Sequence, residues 1–271
     1  MVTKKNITEL SKELELAINA ALKAGLVIME IYEAEDFEIE LKGDSSPLTK
    51  ADIAAHEIIK LYLSSASIPL LSEEGTDTPY EKRKNWKRFW MVDPIDGTKE
   101  FIKRNDEFTV NIALIENQTP ILGVVYAPAL KVLYFAEQGF GSFKVEGVKS
   151  KENIDKNKLI DLSKSTYPDI YTLVVSKSHM NADTQKYVDN KEIVHGTVAT
   201  ASFGSSLKIC KVADGSAHCY PRFGPTMEWD TAAAHAIASI AGNKVVQFDE
   251  VSQIIYNKKK LLNPYFIIEK V

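Results

Sequence analysis

Trp90-Met91-Val92-Asp93-Pro94-Ile95-Asp96-Gly97-Thr98 reads as an apolar strand that ends in two carboxylates three residues apart. Pro94 stiffens the chain between the acids, and Gly97 permits a tight turn just after them. Two acids forced together repel unless something cationic holds them. A hard divalent cation such as Mg²⁺ takes oxygen ligands of this kind, and the backbone carbonyl of Ile95 offers one more between the two side chains. Taken alone, the pair is also what a turn with surface acids looks like.

Two further acidic sites lie at the ends of other elements. Glu73-Glu74 follows directly on the short apolar run Pro69-Leu70-Leu71-Ser72, and two strand ends carrying acids can converge. Asp230 stands in Glu228-Trp229-Asp230-Thr231 at the start of an alanine-rich helix, where a first-turn acid is also favoured by the helix dipole. Turn, cap and surface roles explain each acid singly but not three acidic element ends in one chain. Metal-assisted phosphoryl chemistry explains all three.

Around these sites the chain divides by texture. Ile7 to Tyr32 carries apolar residues at helical spacing with Thr8 or Asn6 placed to cap it, Phe37 to Leu41 reads as a strand, and Lys50 to Ser64 is a second helix. From Ile68 to Phe135 short apolar runs separated by turns read as strands in succession. Gly147 to Pro168 is rich in Lys, Asp, Asn and Ser and reads as a linker or surface excursion, dividing residues 1–150, an N-terminal α+β half with most of the acids, from 151–271, a C-terminal α/β half with Asp230. There strands and helices alternate: extended at Tyr171 to Ser176, helical at Asn181 to Asp189, extended at Ile193 to Val198, then helices at Ser205 to Ala213 and Glu228 to Ala241.

The whole chain of 271 residues is 45% apolar and 26% charged, with 33 basic and 37 acidic side chains for a net charge of -4. This is long enough to bury a sizeable core in one large or two small domains. The balance lacks the basic footprint of a protein that grips long nucleic acid, although a small anionic ligand needs only a few local cations. The only two cysteines, Cys210 and Cys219, match no metal-ligand spacing, and no apolar run is long enough for a transmembrane segment. A cytoplasmic location is expected.

The three acidic motifs together, with Ser72-Glu73-Glu74-Gly75, Asp93-Pro94-Ile95-Asp96-Gly97-Thr98 and Glu228-Trp229-Asp230-Thr231-Ala232-Ala233, resemble the signature set of the inositol monophosphatase-like, lithium-sensitive, Mg²⁺-dependent phosphatases. Within that superfamily, Lys99-Glu100-Phe101-Ile102, the Phe108-Thr109-Val110-Asn111 stretch and Tyr220-Pro221-Arg222-Phe223-Gly224-Pro225-Thr226 look like the CysQ-type 3'(2'),5'-bisphosphate nucleotidases. The resemblance runs from Leu10 to Ile268. An inositol monophosphatase would more typically show Thr-Asn-Phe where this chain has Lys99-Glu100-Phe101.

The resemblance implies a layered α/β/α/β/α sandwich, with the acids meeting where the two halves join. It implies that Glu73, Asp93, Asp96, Asp230 and the carbonyl of Ile95 hold two or three Mg²⁺ ions, with Glu74 adjacent. Asp52, in Pro47-Leu48-Thr49-Lys50-Ala51-Asp52, and Thr98 would orient and deprotonate the attacking water. Glu73, Ile95, Asp96, Gly97, Thr98, Ser176, His179, Gly204, Lys208 and Asp230 would contact the substrate, and Arg222 could pair with a phosphate. The implied reaction removes the 3'-phosphate from adenosine 3',5'-bisphosphate, a small-molecule nucleotide bisphosphate, and from its precursor 3'-phosphoadenylyl sulfate, linking the chain to sulfate assimilation. A monomer is favoured over a homodimer, and peripheral association with the cytoplasmic face of the membrane stays compatible. The rival readings are an inositol or sugar phosphatase of the same fold and a non-catalytic nucleotide-binding module.

Overall fold

The computed structural model describes residues 10–34, 40–41, 47–76, 78–176 and 181–271. Its first half comprises α1 (Lys12–Ala34), the two-residue strands β1 (Glu40–Leu41) and β2 (Pro47–Leu48), α2 (Lys50–Leu63), β3 (Leu70–Ser72), α3 (Tyr80–Arg83), β4 (Arg88–Asp96), α4 (Thr98–Ile102), β5 (Thr109–Glu116), β6 (Thr119–Ala127), β7 (Val132–Glu137) and β8 (Gly141–Glu146). There follow β9 (Ile160–Asp161), β10 (Tyr171–Ser176), α5 (Ala182–His195), β11 (Val198–Phe203), α6 (Leu207–Ala213), β12 (Cys219–Arg222), α7 (Glu228–Ile240), β13 (Lys244–Gln247) and β14 (Phe266–Glu269).

Two sheets organise the chain. The first has seven strands in the order β3-β4-β5-β6-β7-β8-β9, parallel at β3/β4 and antiparallel elsewhere. The second has five, in the order β11-β10-β12-β14-β13. Strand alternation explains why the first sheet is covered on both faces: successive side chains point to opposite sides. Trp90, Val92, Ile112, Leu114, Leu122 and Val124 face α1 and α2, whereas Phe89, Met91, Ala113, Ile115 and Val125 face α6 and α7. Those two helices are shared with the second sheet, through Val174, Tyr220, Phe266 and Ile268. Tyr187 and Val188 of α5 cover its other face, against Leu173, Cys219 and Ile267. The layers therefore run α/β/α/β/α, as the resemblance implied.

Several element boundaries differ from the sequence reading, each for a local reason. Helix α1 is capped by Ser11, whose Oγ accepts the Leu14 N–H at 3.0 Å; Thr8 and Asn6 lie outside the described residues, as does most of the Phe37 to Leu41 strand. The apolar pair Ile193-Val194 ends helix α5 instead of opening a strand, and both side chains point to solvent. Gly196, at φ 76° and ψ −132°, breaks the chain before β11 begins. Residues 147–168 form short 3-10 turns and the edge strand β9 in place of a free linker, anchored by buried Val148 and Leu162. Among the described residues no helix is long and apolar enough to cross a membrane. Both cysteines are buried and unpaired.

Candidate active site

Parallel pairing of β3 with β4 brings the first two acidic motifs together. Ser72 lies opposite Val92, and the Glu73 N–H continues the ladder to the Val92 carbonyl at 3.1 Å, which sets Glu73 beside Asp93. The third acid arrives on α7, which runs between the sheets. Asp230 occupies its first turn, and its Oδ2 accepts the Met227 N–H at 2.8 Å, satisfying a donor that the helix itself leaves open. One carboxylate oxygen each from Glu73, Asp93 and Asp230 lies within 4.8 Å of the other two.

The cost of this convergence shows in the proton affinities. Asp93, only 2% exposed, is pushed well above the usual carboxylate range by burial and then by Glu73, Asp96, Asp230 and Asp52. Asp230 is raised by burial and by Asp96, against the opposing pull of the Met227 N–H. Asp96 is pushed up to about 6 by burial, with Lys208 pulling the other way. Buried, mutually repelling oxygen donors are a fitting donor set for Mg²⁺, because a divalent cation relieves both the burial and the repulsion.

A β-bulge shapes the end of β4. Asp93 pairs with Asn111 and Asp96 with Thr109, so three steps on β4 oppose two on β5. Within the bulge the Ile95 N–H donates to Asp93 Oδ1 at 3.1 Å. Gly97 follows at φ 91°, a conformation that side chains resist, and turns the chain into α4. Thr98 thereby faces back, its Oγ1 3.3 Å from both Asp52 Oδ1 and the Ile95 carbonyl. The other Asp52 oxygen is held by the Thr49 N–H at 2.8 Å and the Thr49 hydroxyl at 2.5 Å. Asp52 is 1% exposed, so the surface reading its helix position invites does not apply.

Beside the acids opens a cavity of about 390 Å³. Of the residues expected at the substrate, Asp96, Gly97, Ser176, Gly204, Lys208 and Asp230 line it. Glu73, Ile95 and Thr98 lie outside its lining, at the acid cluster and the Asp52 contact, and His179 falls outside the described residues. Burial lowers the Lys208 pKa, an effect that Asp96 opposes and Arg222 reinforces. Arg222 donates from Nη2 to the Pro225 carbonyl at 2.9 Å, and its buried Nε finds no partner among the described residues. Gly204 must be glycine for space: a Cβ there would meet the Glu107 carbonyl at 2.7 Å.

The structure also brings in residues that sequence reasoning passed over. Thr49 orients Asp52, and Glu107 holds the cavity wall by accepting the Gly204 N–H on Oε2 at 2.8 Å. Thr109, Asn111 and Ser206 form a buried polar cluster next to Asp96. Thr109, Asn111 and Ser206 stand inside stretches already singled out, but a lone hydroxyl or amide carries no sequence mark of what it faces. His56 and His235 are packed: His56 Nδ1 meets Ser72 Oγ and His235 Nδ1 meets Tyr256 Oη, both at 2.9 Å.

A family model described as the inositol monophosphatase family matches residues 9–269. The chain belongs to the inositol monophosphatase family. Within it, the 3'(2'),5'-bisphosphate nucleotidase CysQ of Salmonella typhimurium is 47% identical, over 93% of this chain and 98% of that protein. The solved structure of CysQ from Bacteroides thetaiotaomicron, a bacterial member of the inositol monophosphatase family, is similar with a TM-score of 0.88 at 47% identity, covering 98% of this chain and 99% of its own. An IMPase/NADP phosphatase complexed with Mg²⁺ and phosphate shares the fold at 21% identity and a TM-score of 0.70, over 92% of this chain and 86% of its own.

Proposed function

We propose that the chain is a Mg²⁺-dependent 3'(2'),5'-bisphosphate nucleotidase that hydrolyses the 3'-phosphate of adenosine 3',5'-bisphosphate to AMP and acts on 3'-phosphoadenylyl sulfate as a second substrate. The observation that carries this reading is the carboxylate cluster opening onto a cavity lined by the cations Lys208 and Arg222. Such a site has a place for the phosphate that is cut and a second anion-binding end, which a bisphosphate fills and inositol monophosphate does not. Tyr220, Phe203 and Phe266 add apolar and aromatic lining suited to a nucleoside. Similarity to the nucleotidases at 47% identity supports the same substrate class.

Glu73, Asp93, Asp96, Asp230 and the Ile95 carbonyl would hold two or three Mg²⁺ ions, with Glu74 close by. When bound, Mg²⁺ lowers the pKa of water and stabilises charge on the phosphoryl and leaving oxygens. The chain's own task is to place the attacking water and take its proton. Thr98 Oγ1 accepts that proton while passing its own to Asp52 Oδ1, across the 3.3 Å contact already present. Thr49 keeps the other Asp52 oxygen engaged and so orients the carboxylate for the transfer. Lys208 and Arg222 bind the remaining phosphate, bidentately in the case of Arg222. Ser176, His179, Gly97 and Gly204 contact the nucleotide.

The proposed division of labour gives residues 1–150 most of the metal ligands and 151–271 the nucleotide contacts and Asp230. The two buried free thiols suit a reducing cytoplasm. Paired rates of Mg²⁺-dependent phosphate release from adenosine 3',5'-bisphosphate and inositol 1-phosphate test the substrate assignment. The nucleotide should turn over faster; faster release from the inositol ester overturns it.

A further inference from the structure

Thr109 and Asn111 on β5 and Ser206 just before α6 are buried polar side chains from opposite halves of the chain. Thr109 Oγ1 lies 2.8 Å from Ser206 Oγ, Ser206 Oγ lies 2.8 Å from Asn111 Oδ1, and Asn111 Nδ2 reaches Asp96 Oδ2 at a long 3.4 Å. Burial raises the Asp96 pKa, and the Ser206 backbone is among the groups that draw it back down.

The chemistry of the groups fixes the direction of this chain. An ionised carboxylate can only accept, so the Asn111 amide presents its nitrogen to Asp96 and its oxygen to Ser206. The single Ser206 hydroxyl proton then goes to Asn111, and Thr109 must donate to Ser206 Oγ. All the side-chain hydrogen bonds point toward Asp96. Thr109, Asn111 and Ser206 are 0%, 1% and 3% exposed, so removing one link leaves its neighbour short of a partner. Ser206 also lies between Gly204 and Lys208, both on the cavity wall.

We propose that Thr109, Ser206 and Asn111 are positioning residues: a directed hydrogen-bond chain that holds the Asp96 carboxylate in its ligating orientation and fastens the substrate-cavity wall, residues 204–208, to the acid cluster. The inference rests on the proposed function, in which Asp96 is a Mg²⁺ ligand. Groups that orient ligands in this way are worth about 10–100-fold in metal affinity.

Calorimetric titration of the metal-free full chain with MgCl₂, without substrate, tests it. Asn111→Leu, which keeps the shape and loses the donor, should weaken Mg²⁺ binding by about 10–100-fold. Thr109→Val, which deletes only the first hydroxyl, should weaken it less, and Thr109→Ser, which keeps that hydroxyl, should bind as wild type does. Kinetics should follow, with the half-saturating Mg²⁺ concentration rising in Asn111→Leu and Thr109→Val and not in Thr109→Ser. A folded Asn111→Leu variant with wild-type Mg²⁺ affinity overturns the proposal. Should Asn111→Leu fail to fold, equal affinities for Thr109→Val and Thr109→Ser overturn it. Wild-type protein that binds no Mg²⁺ overturns the functional reading itself, a result distinct from wild-type binding matched by every variant.

Discussion

Asp93→Asn separates the cost of the acid cluster from its use. Carboxylate oxygens of Glu73 and Asp230 lie within 4.8 Å of Asp93, and at that distance two full charges repel by about 3 kcal/mol at an effective dielectric of about 20. Burial and these neighbours already raise the Asp93 pKa, so proton uptake relieves part of the strain in metal-free protein. The neutral, isosteric asparagine should therefore stabilise that form by about 1–3 kcal/mol. For 271 residues, with an unfolding entropy of about 2.1 cal/mol/K per residue, this raises Tm by roughly 2–5 °C. Mg²⁺ at 100 times its Kd should stabilise the wild type by about 2.7 kcal/mol, or roughly 5 °C, and Asp93→Asn should lose most of that gain. The order of melting temperatures thus inverts between EDTA and Mg²⁺, which differential scanning fluorimetry reads directly, while phosphate release falls at least about 100-fold. A variant that melts below wild type in EDTA and keeps the full Mg²⁺ shift would refute the placement of Asp93 among the metal ligands.

Other consequences are checked independently. Thr98→Val removes the hydroxyl between water and Asp52, so kcat should drop by about 10²–10⁴ with little change in KM for the nucleotide; an unchanged kcat removes Thr98 from proton transfer. Gly204→Ala places a methyl 2.7 Å from the Glu107 carbonyl and must displace the cavity wall, so KM for the nucleotide should rise; an unchanged KM removes Gly204 from the substrate contacts. Burial lowers the His235 pKa to about 4. The unfolded chain gains this proton near pH 6.5 and the folded chain only near pH 4, so stability present above pH 6.5 is lost as pH falls through that window, by up to about 3 kcal/mol. Urea denaturation at pH 7 and pH 4.5 should show this loss, and His235→Gln should flatten it.

Much of this architecture is legible in the residues. Trp90 to Thr98 announces a strand end with paired acids, and the helical spacing of α1, α2 and α7 marks their buried faces. The layered fold came through resemblance, because periodicity alone cannot say that α6 and α7 are shared by two sheets. Isolated motifs mislead where burial decides: Asp52 reads as an exposed helix acid until Thr49 and Thr98 are seen to hold it, and Ile193-Val194 reads as a strand although it ends a helix in solvent. The polar chain through Thr109, Asn111 and Ser206 joins residues 95 or more positions apart. No local pattern encodes such a contact. The net charge of -4 also acquires a different meaning. Setting aside Asp52, Glu73, Glu74, Asp93, Asp96 and Asp230 leaves +2, since -4 + 6 = +2, so the acidity reflects the site more than the surface.

The most direct test of the account is the identity of the product formed from adenosine 3',5'-bisphosphate with Mg²⁺ and with EDTA, resolved by chromatography. Adenosine 5'-monophosphate and free phosphate should appear in equal amounts, only when Mg²⁺ is present, and Li⁺ should suppress them. Formation of adenosine 3'-monophosphate, or undiminished turnover in EDTA, would contradict it.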